Sequence, residues 1–341
     1  MAGTNRNTIL FALLLLTAVF LLACDLSLGS VTIPFKDIFK SLSGSHASKQ
    51  TWDYIIINYR LPKAITAILV GMGLSTCGLL MQTLFRNPLA GPYVLGLSSG
   101  SSLGVAFVIL GAGFMPGLSF LMSSYGIIIA SFLGSFMVLL AVLFVSQRLR
   151  DTMAILIVGL MFGSFTSAFV GVLTYFSTAE QLQKFTFWSL GNLGNLSWAS
   201  ILILSICVGF GLLLSCLNIK ALNALLLGEN YAKSLGINYK KSRFLIIVAT
   251  SILAGSITAF AGPIAFVGLA VPHMAKLVFH TSNHLILFWA TLLSGAIIML
   301  LCDILSQVPG TELTLPINAI TSIIGAPIVI WLLIRKRNRM M

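Results

Sequence analysis

Ten apolar runs divide the chain, at residues 8–28, 64–85, 93–112, 122–146, 153–176, 198–217, 244–261, 266–280, 285–305 and 315–334. A helix needs about 20 apolar residues to cross a hydrocarbon core roughly 30 Å thick. The pattern therefore predicts an all-α polytopic membrane protein of about ten transmembrane helices, with 266–280 the shortest span. Among the polar intervals, residues 29–60 are the longest outside segment. There Val31-Thr32-Ile33-Pro34 followed by Phe35-Lys36-Asp37-Ile38-Phe39 predicts a short interfacial helix, and Gly44 to Gln50 a mobile turn.

The interval Asn218 to Arg243 departs most from its surroundings, carrying Lys220, Glu229, Lys233, Lys240, Lys241 and Arg243 between two long apolar runs. Ile219 to Leu227 can form a short helix. Gly228 then supplies a turn that a residue with a Cβ resists. Glu229 opens a second helical turn, where a carboxylate suits the positive end of the dipole. Gly236 after Leu235 reads as its C-terminal stop. Leu225, Leu226 and Leu227 are too much apolar surface for so small a unit to bury. An apolar knob rimmed by charge is a surface for another protein to cover; leucines folded back on the bundle are the plainer alternative.

Composition removes the soluble classes. Of 341 residues, 58% are hydrophobic and 8% charged, against about 25% charged in a soluble domain. The net charge of +12 reads as topology rather than a nucleic-acid footprint, since Lys and Arg gather on the cytoplasmic side of membranes. With the N-terminus inside and ten spans, most of the 20 basic residues fall inside, including Arg148, Arg150 and Arg335, Lys336, Arg337 and Arg339. Lys36, Lys40, Lys49, Arg60, Lys63 and Lys184 fall outside. Both termini are thus expected in the cytoplasm. Leu21-Leu22-Ala23-Cys24 is similar to a lipoprotein cleavage site, but a retained first helix is expected in a chain with so many later spans.

The five cysteines lie in or beside apolar runs without metal or redox spacing. His280 and His284 are four apart, but Thr281-Ser282-Asn283 between them reads as a turn, against a shared helix face. Asp303 is the one acid near a membrane segment and a functional suspect on that ground. No nucleophile–base pair stands out. Residues 228–234 lack the Gly before Lys that a P-loop requires. The chain is therefore expected to be no enzyme, with no catalytic residue, cofactor or metal site and no ATPase site of its own.

Three stretches carry a resemblance: Arg60 through RNPLAGPYVLGLSSG to Gly104, LLLGENYAKSLGIN in the polar interval, and GPIAFVGLAVPH at 262–273. Together they resemble the permease subunits of ABC importers for iron–siderophore complexes, haem and cobalamin. The resemblance implies one permease domain over 1–341, built as two inverted five-helix halves. A faint internal echo agrees: Gly91-Pro92 precedes Gly96-Leu97, and Gly262-Pro263 precedes Gly268-Leu269. It implies that 218–243 is a cytoplasmic coupling loop contacting an ATPase through Leu227, Gly228, Glu229, Ala232, Lys233, Leu235 and Gly236. It implies that Arg60 and Lys63, one turn apart and pointing outward, pair with acids on a substrate-binding protein. Lys63 stands where Arg is more usual, and Gln307 where a basic residue is. The inner turn Asn87-Pro88-Leu89 would help close the pathway, with Asn87 and Leu89 as gate.

The implied partners are a second copy or close paralogue, two ATP-binding cassette subunits, an extracytoplasmic binding protein and the inner membrane, with no nucleic acid. The implied function is import of a metal chelate by alternating access, an iron–siderophore complex first, then haem or cobalamin. The alternative, from a different class, is an ion-coupled secondary transporter built on Asp303.

Overall fold

The computed structural model describes residues 2–111, 122–148, 152–194, 196–307 and 313–337. Arg150, Arg339 and residues 309–312 lie outside them. Each of the ten predicted runs carries a helix: α1 (Ala2–Ser27), α4 (Leu61–Leu84), α5 (Leu97–Ile109), α6 (Ser124–Arg148), α7 (Thr152–Tyr175), α9 (Trp198–Leu217), α12 (Tyr239–Ala261), α13 (Val267–Phe279), α14 (His284–Ser306) and α15 (Ile317–Arg337). Short helices fill the polar intervals: α2 (Phe35–Leu42), α3 (Gln50–Ile55), α8 (Ala179–Ser189), α10 (Ile219–Leu225) and α11 (Glu229–Ser234). Among the described residues seven helices are long and apolar enough to cross a membrane, and Leu97–Ile109, Val267–Phe279 and Ile317–Trp331 are shorter. The protein is a multi-pass, all-helical membrane protein. Among the described residues the only β pairing is one isolated bridge, Gln307 to Thr314.

Helix runs unbroken from Gln50 to Leu84, 35 residues, or about 52 Å at the α-helical rise. That exceeds the bilayer core, so one end projects beyond it. Proline lacks the N–H that an α-helix interior needs, and a π turn at Ile56–Arg60 directly precedes α4. Such a turn reroutes the hydrogen bonds that proline cannot complete.

The chain forms two compact units. The first comprises residues 1–75, 192–205 and 264–341, and the second 76–191 and 206–263. In the first, α14 packs against α1, α13 and α15. Small residues let α4 and α14 cross closely, because lipid offers no hydrophobic drive and backbone approach must supply the packing. A Cβ on Gly71 would overlap the Gly295 carbonyl oxygen, and one on Gly295 would overlap Gly71 and the Ser75 hydroxyl. Ser75 Oγ in turn donates to Thr291 O at 3.1 Å. In the second unit, α5 packs on α6, α7 and α8, and α12 on α6. Gly100 and Gly134 meet backbone to backbone there. The serine-rich, thin face of α5 is thus a packing seam.

Partly buried Trp188 packs with Phe185 against Val105, Ala106, Ile109 and Leu110. One expectation is corrected: 44–50 is not a free turn. Asp53 accepts from Ala47 N at 3.1 Å, and Asp37 accepts from Ser48 N at 2.9 Å and Ser48 Oγ at 2.6 Å. Between α12 and α13 the backbone unwinds at 262–266, as the Gly-Pro pair predicts. Phe266 there has φ 66°, and Asn318 Oδ1 accepts from Ala265 N at 3.0 Å.

Candidate functional site

The polar interval in the second unit folds as two short helices, as its sequence predicts. Asn218 separates α9 from α10, and its side chain donates to Leu214 O at 2.8 Å. Gly228, the residue before α11, has φ 108° and ψ 161°, a region essentially reserved for glycine. The C-terminus of α11 is closed by Ile237 N to Ala232 O at 3.1 Å and Gly236 N to Lys233 O at 3.0 Å, with Gly236 at φ 79°. Asn238 Oδ1 then caps α12, accepting from Lys241 N at 3.0 Å.

The leucine cluster divides. Leu225 is buried, whereas Leu226 and Leu227 are 38% and 64% exposed. With Tyr231 at 50% and Leu235 at 57% they make an exposed apolar patch. Ala232 is fully buried, so it supports the patch from beneath. Glu229 and Lys233 pair with each other at 2.7 Å. Sequence reasoning missed Tyr231, although Leu227, Tyr231 and Leu235 recur every fourth residue. It also missed Arg86, whose Nη1 lies 3.5 Å from where a Cβ on Gly228 would stand. Around Tyr239, the Lys233 ammonium lies 6.0 Å and the Arg243 guanidinium 5.6 Å from the ring centre, within about the 6 Å reach of a cation–π contact.

Arg86 opens the turn that holds the expected gate, and it has φ 47°. Asn87 Oδ1 accepts from Leu89 N at 2.9 Å, and Asn87 O from Ala90 N at 3.0 Å. The two carbonyl oxygens of Asn87 thus hold the turn itself. Leu89 is 44% exposed and open to a partner surface.

The second cluster is in the first unit. Arg60 does not point outward: it is 9% exposed and donates to Leu26 O at 2.6 Å, Ser27 O at 2.8 Å and Val31 O. The Leu26 and Ser27 carbonyls end α1, which leaves its last carbonyls unpaired like every helix; Val31 lies just beyond it, and a guanidinium presents several donors at once. Lys63 Nζ pairs with the buried Asp303 at 2.9 Å. Gln307 Nε2 donates to Asp25 Oδ1 at 3.1 Å and reaches Asp303 Oδ2 at 3.5 Å. The expected pair of free outward charges is therefore replaced by a cluster of two bases and two acids compensated within one unit. Asp303, paired with Lys63, also offers the ion-coupled alternative no free carboxylate.

His280 ends α13 and His284 begins α14. No group of three or more metal-ligating side chains occurs among the described residues.

Known proteins resemble this chain over nearly its whole length. The model of the FecCD transport family matches residues 4–335. The hemin transport system permease HmuU of Yersinia pestis is 32% identical over 340 residues, covering 99% of each chain. The vitamin B12 import system permease BtuC of Klebsiella pneumoniae is 35% identical over 281 residues, 82% of each. A solved chain described as an inward-facing conformation of a metal-chelate type ABC transporter superposes with a TM-score of 0.84 at 29% identity, covering 96% of this chain and 99% of that one. The family match over residues 4–335 spans all three stretches that carry the resemblance and reaches well beyond them toward both ends. The chain belongs to the FecCD transport family of ABC-importer permeases.

Proposed function

We propose that this chain is the membrane-spanning subunit of an inner-membrane importer that carries a bulky metal chelate into the cytoplasm. It works as a pair of copies or close paralogues with two separate ATPase subunits and an extracytoplasmic binding protein. The observation that carries the reading is the exposed apolar patch Leu226, Leu227, Tyr231 and Leu235 on α10 and α11. It is mounted on buried Leu225 and Ala232 and hinged at Gly228. Apolar side chains at this exposure, rimmed by Lys220, Lys240 and Lys241, suit a helix-in-groove contact. Closure of the ATPases would push this patch, and Arg86 beside Gly228 would pass the motion to the turn carrying Asn87 and Leu89. With both termini inside, patch and turn face the cytoplasm, and the two inverted halves tilt to alternate access.

Arg60 and Lys63 enter this reading as residues that shape the outer mouth, not as free charges for the binding protein. The cargo is the class carried by the named relatives, haem or cobalamin, or an iron–siderophore complex, which is tested first.

The test is co-purification of the intact chain with its ATPase subunit, against Leu227→Asp and Tyr231→Asp. Both positions are exposed, so each variant is expected to keep the parent's melting temperature and lose the ATPase. Retention of the ATPase by both variants would overturn the reading. Uptake of ferric siderophore, haem and cobalamin by the reconstituted complex then identifies the cargo.

A further inference from the structure

We infer that α2 is a membrane-surface anchor, inserting Phe35, Phe39 and Leu42 among lipid acyl chains and presenting Lys36 and Lys40 to anionic headgroups. The helix has three sectors. Its buried side carries Asp37, Ile38 and Ser41. Phe35, Phe39 and Leu42 stand 53%, 76% and 49% exposed. At about 100° per residue they fall within a sector roughly 60° wide. Lys36 and Lys40 fall on a third sector, roughly a third of a turn beyond. A helix lying flat at a bilayer surface needs this arrangement, with one side on protein, one on hydrocarbon and one at phosphate level.

Placement supports lipid over a soluble partner. Ile33 N donates to Ser27 O at 3.0 Å, and Ser27 Oγ donates to Ile33 O at 2.7 Å. The residue preceding Pro34, the N-cap of α2, is thus bonded to the last residue of the α1 span. Arg60 donates to the same Ser27 carbonyl and to that of Leu26. The side of α1 that holds Leu13, Leu16 and Phe20 is exposed as a lipid-facing surface is. Seven residues separate the end of α1 at Ser27 from the start of α2 at Phe35. Asp37, the one acid on α2, is turned inward onto Ser48, so the helix presents net positive charge. Next to it, Tyr54 and Tyr59 are exposed with ring centres 5.8 Å apart, the aromatic signature of a membrane interface. The inference holds whichever side of the bilayer the end of α1 reaches.

The experiment uses the full chain in nanodiscs of phosphatidylglycerol or phosphatidylcholine, with a diazirine on the lipid acyl chain and mass-spectrometric mapping of the label. Expected are acyl label on Phe35, Phe39 and Leu42, as on Leu13 to Phe20 of α1, and protection of the two phenylalanines from hydroxyl radicals generated in water. Lys36→Gln with Lys40→Gln leaves the apolar sector intact. It should reduce labelling of Phe39 in phosphatidylglycerol toward the phosphatidylcholine level, by roughly fivefold per lysine lost. Oxidation of Phe39 from water with label confined to α1 would overturn the inference, as would protection that arises only when a soluble binding protein is added. Equal labelling of the parent and the lysine variant in phosphatidylglycerol would overturn its headgroup half.

Discussion

Lys63 Nζ lies 2.9 Å from Asp303 Oδ1 and ties α4 to α14. Asp303 is almost fully buried and Lys63 is largely so. A buried pair is often no more stable than an apolar replacement, but removing one partner strands the other charge, at about 3–5 kcal/mol. Lys63→Met is therefore expected to lower the melting temperature sharply, and Lys63→Met with Asp303→Leu to recover most of the loss. A double variant no better than the single would show that the pair is not the unit of stability.

Gly228 occupies a backbone region that excludes side chains, and a strained residue there costs about 1–3 kcal/mol. Gly228→Val is expected to bend α10 and α11 apart while the membrane helices stay folded. Thermal denaturation of the whole chain should then change little while ATPase capture falls. An unchanged capture would remove Gly228 from the coupling device.

The crossing of α4 and α14 has no room for one methyl group. Gly295→Ala would drive a Cβ into the Gly71 carbonyl and the Ser75 hydroxyl, and overpacking of this kind costs about 1–3 kcal/mol. Because Gly71 would obstruct through backbone, Ser75→Ala is expected to relieve only part of it. Yield of monodisperse protein in detergent reads the effect.

Hydrogen bonds from the hydroxyl and N–H of Ser48 hold the Asp37 carboxyl below its usual range. A depressed folded-state value means the tie contributes stability above the unfolded value, about 3.9, and loses it as pH falls through the folded one. Protection of the Ser48 amide, relative to its intrinsic exchange rate at each pH, should hold from neutral pH down to about 4 and fall below it. Asp37→Asn, which removes the charge, should quicken exchange at neutral pH. Fast exchange in the parent at neutral pH would contradict the tie.

Apolar runs, glycine turns and the Gly-Pro break are local properties, so they could be read from sequence. Ten helices stand where ten runs lie, Gly228 and Gly236 have positive φ, and 262–266 unwinds. The two short helices of 218–243 were legible because a charged interval between apolar runs carries its own glycine turns. What the tertiary structure alone decided is where side chains go. Arg60 and Lys63 were read as outward because one helical turn separates them. The partners that turned them inward, the end of α1 and Asp303, stand more than thirty and more than two hundred positions away in sequence. Ala232 was read as a contact and is buried, and Tyr231 was passed over and is exposed, because a six-residue helix shows too little periodicity to fix its faces. Periodicity and turn chemistry act within a few residues; ion pairing and burial depend on neighbours that only the folded chain brings together.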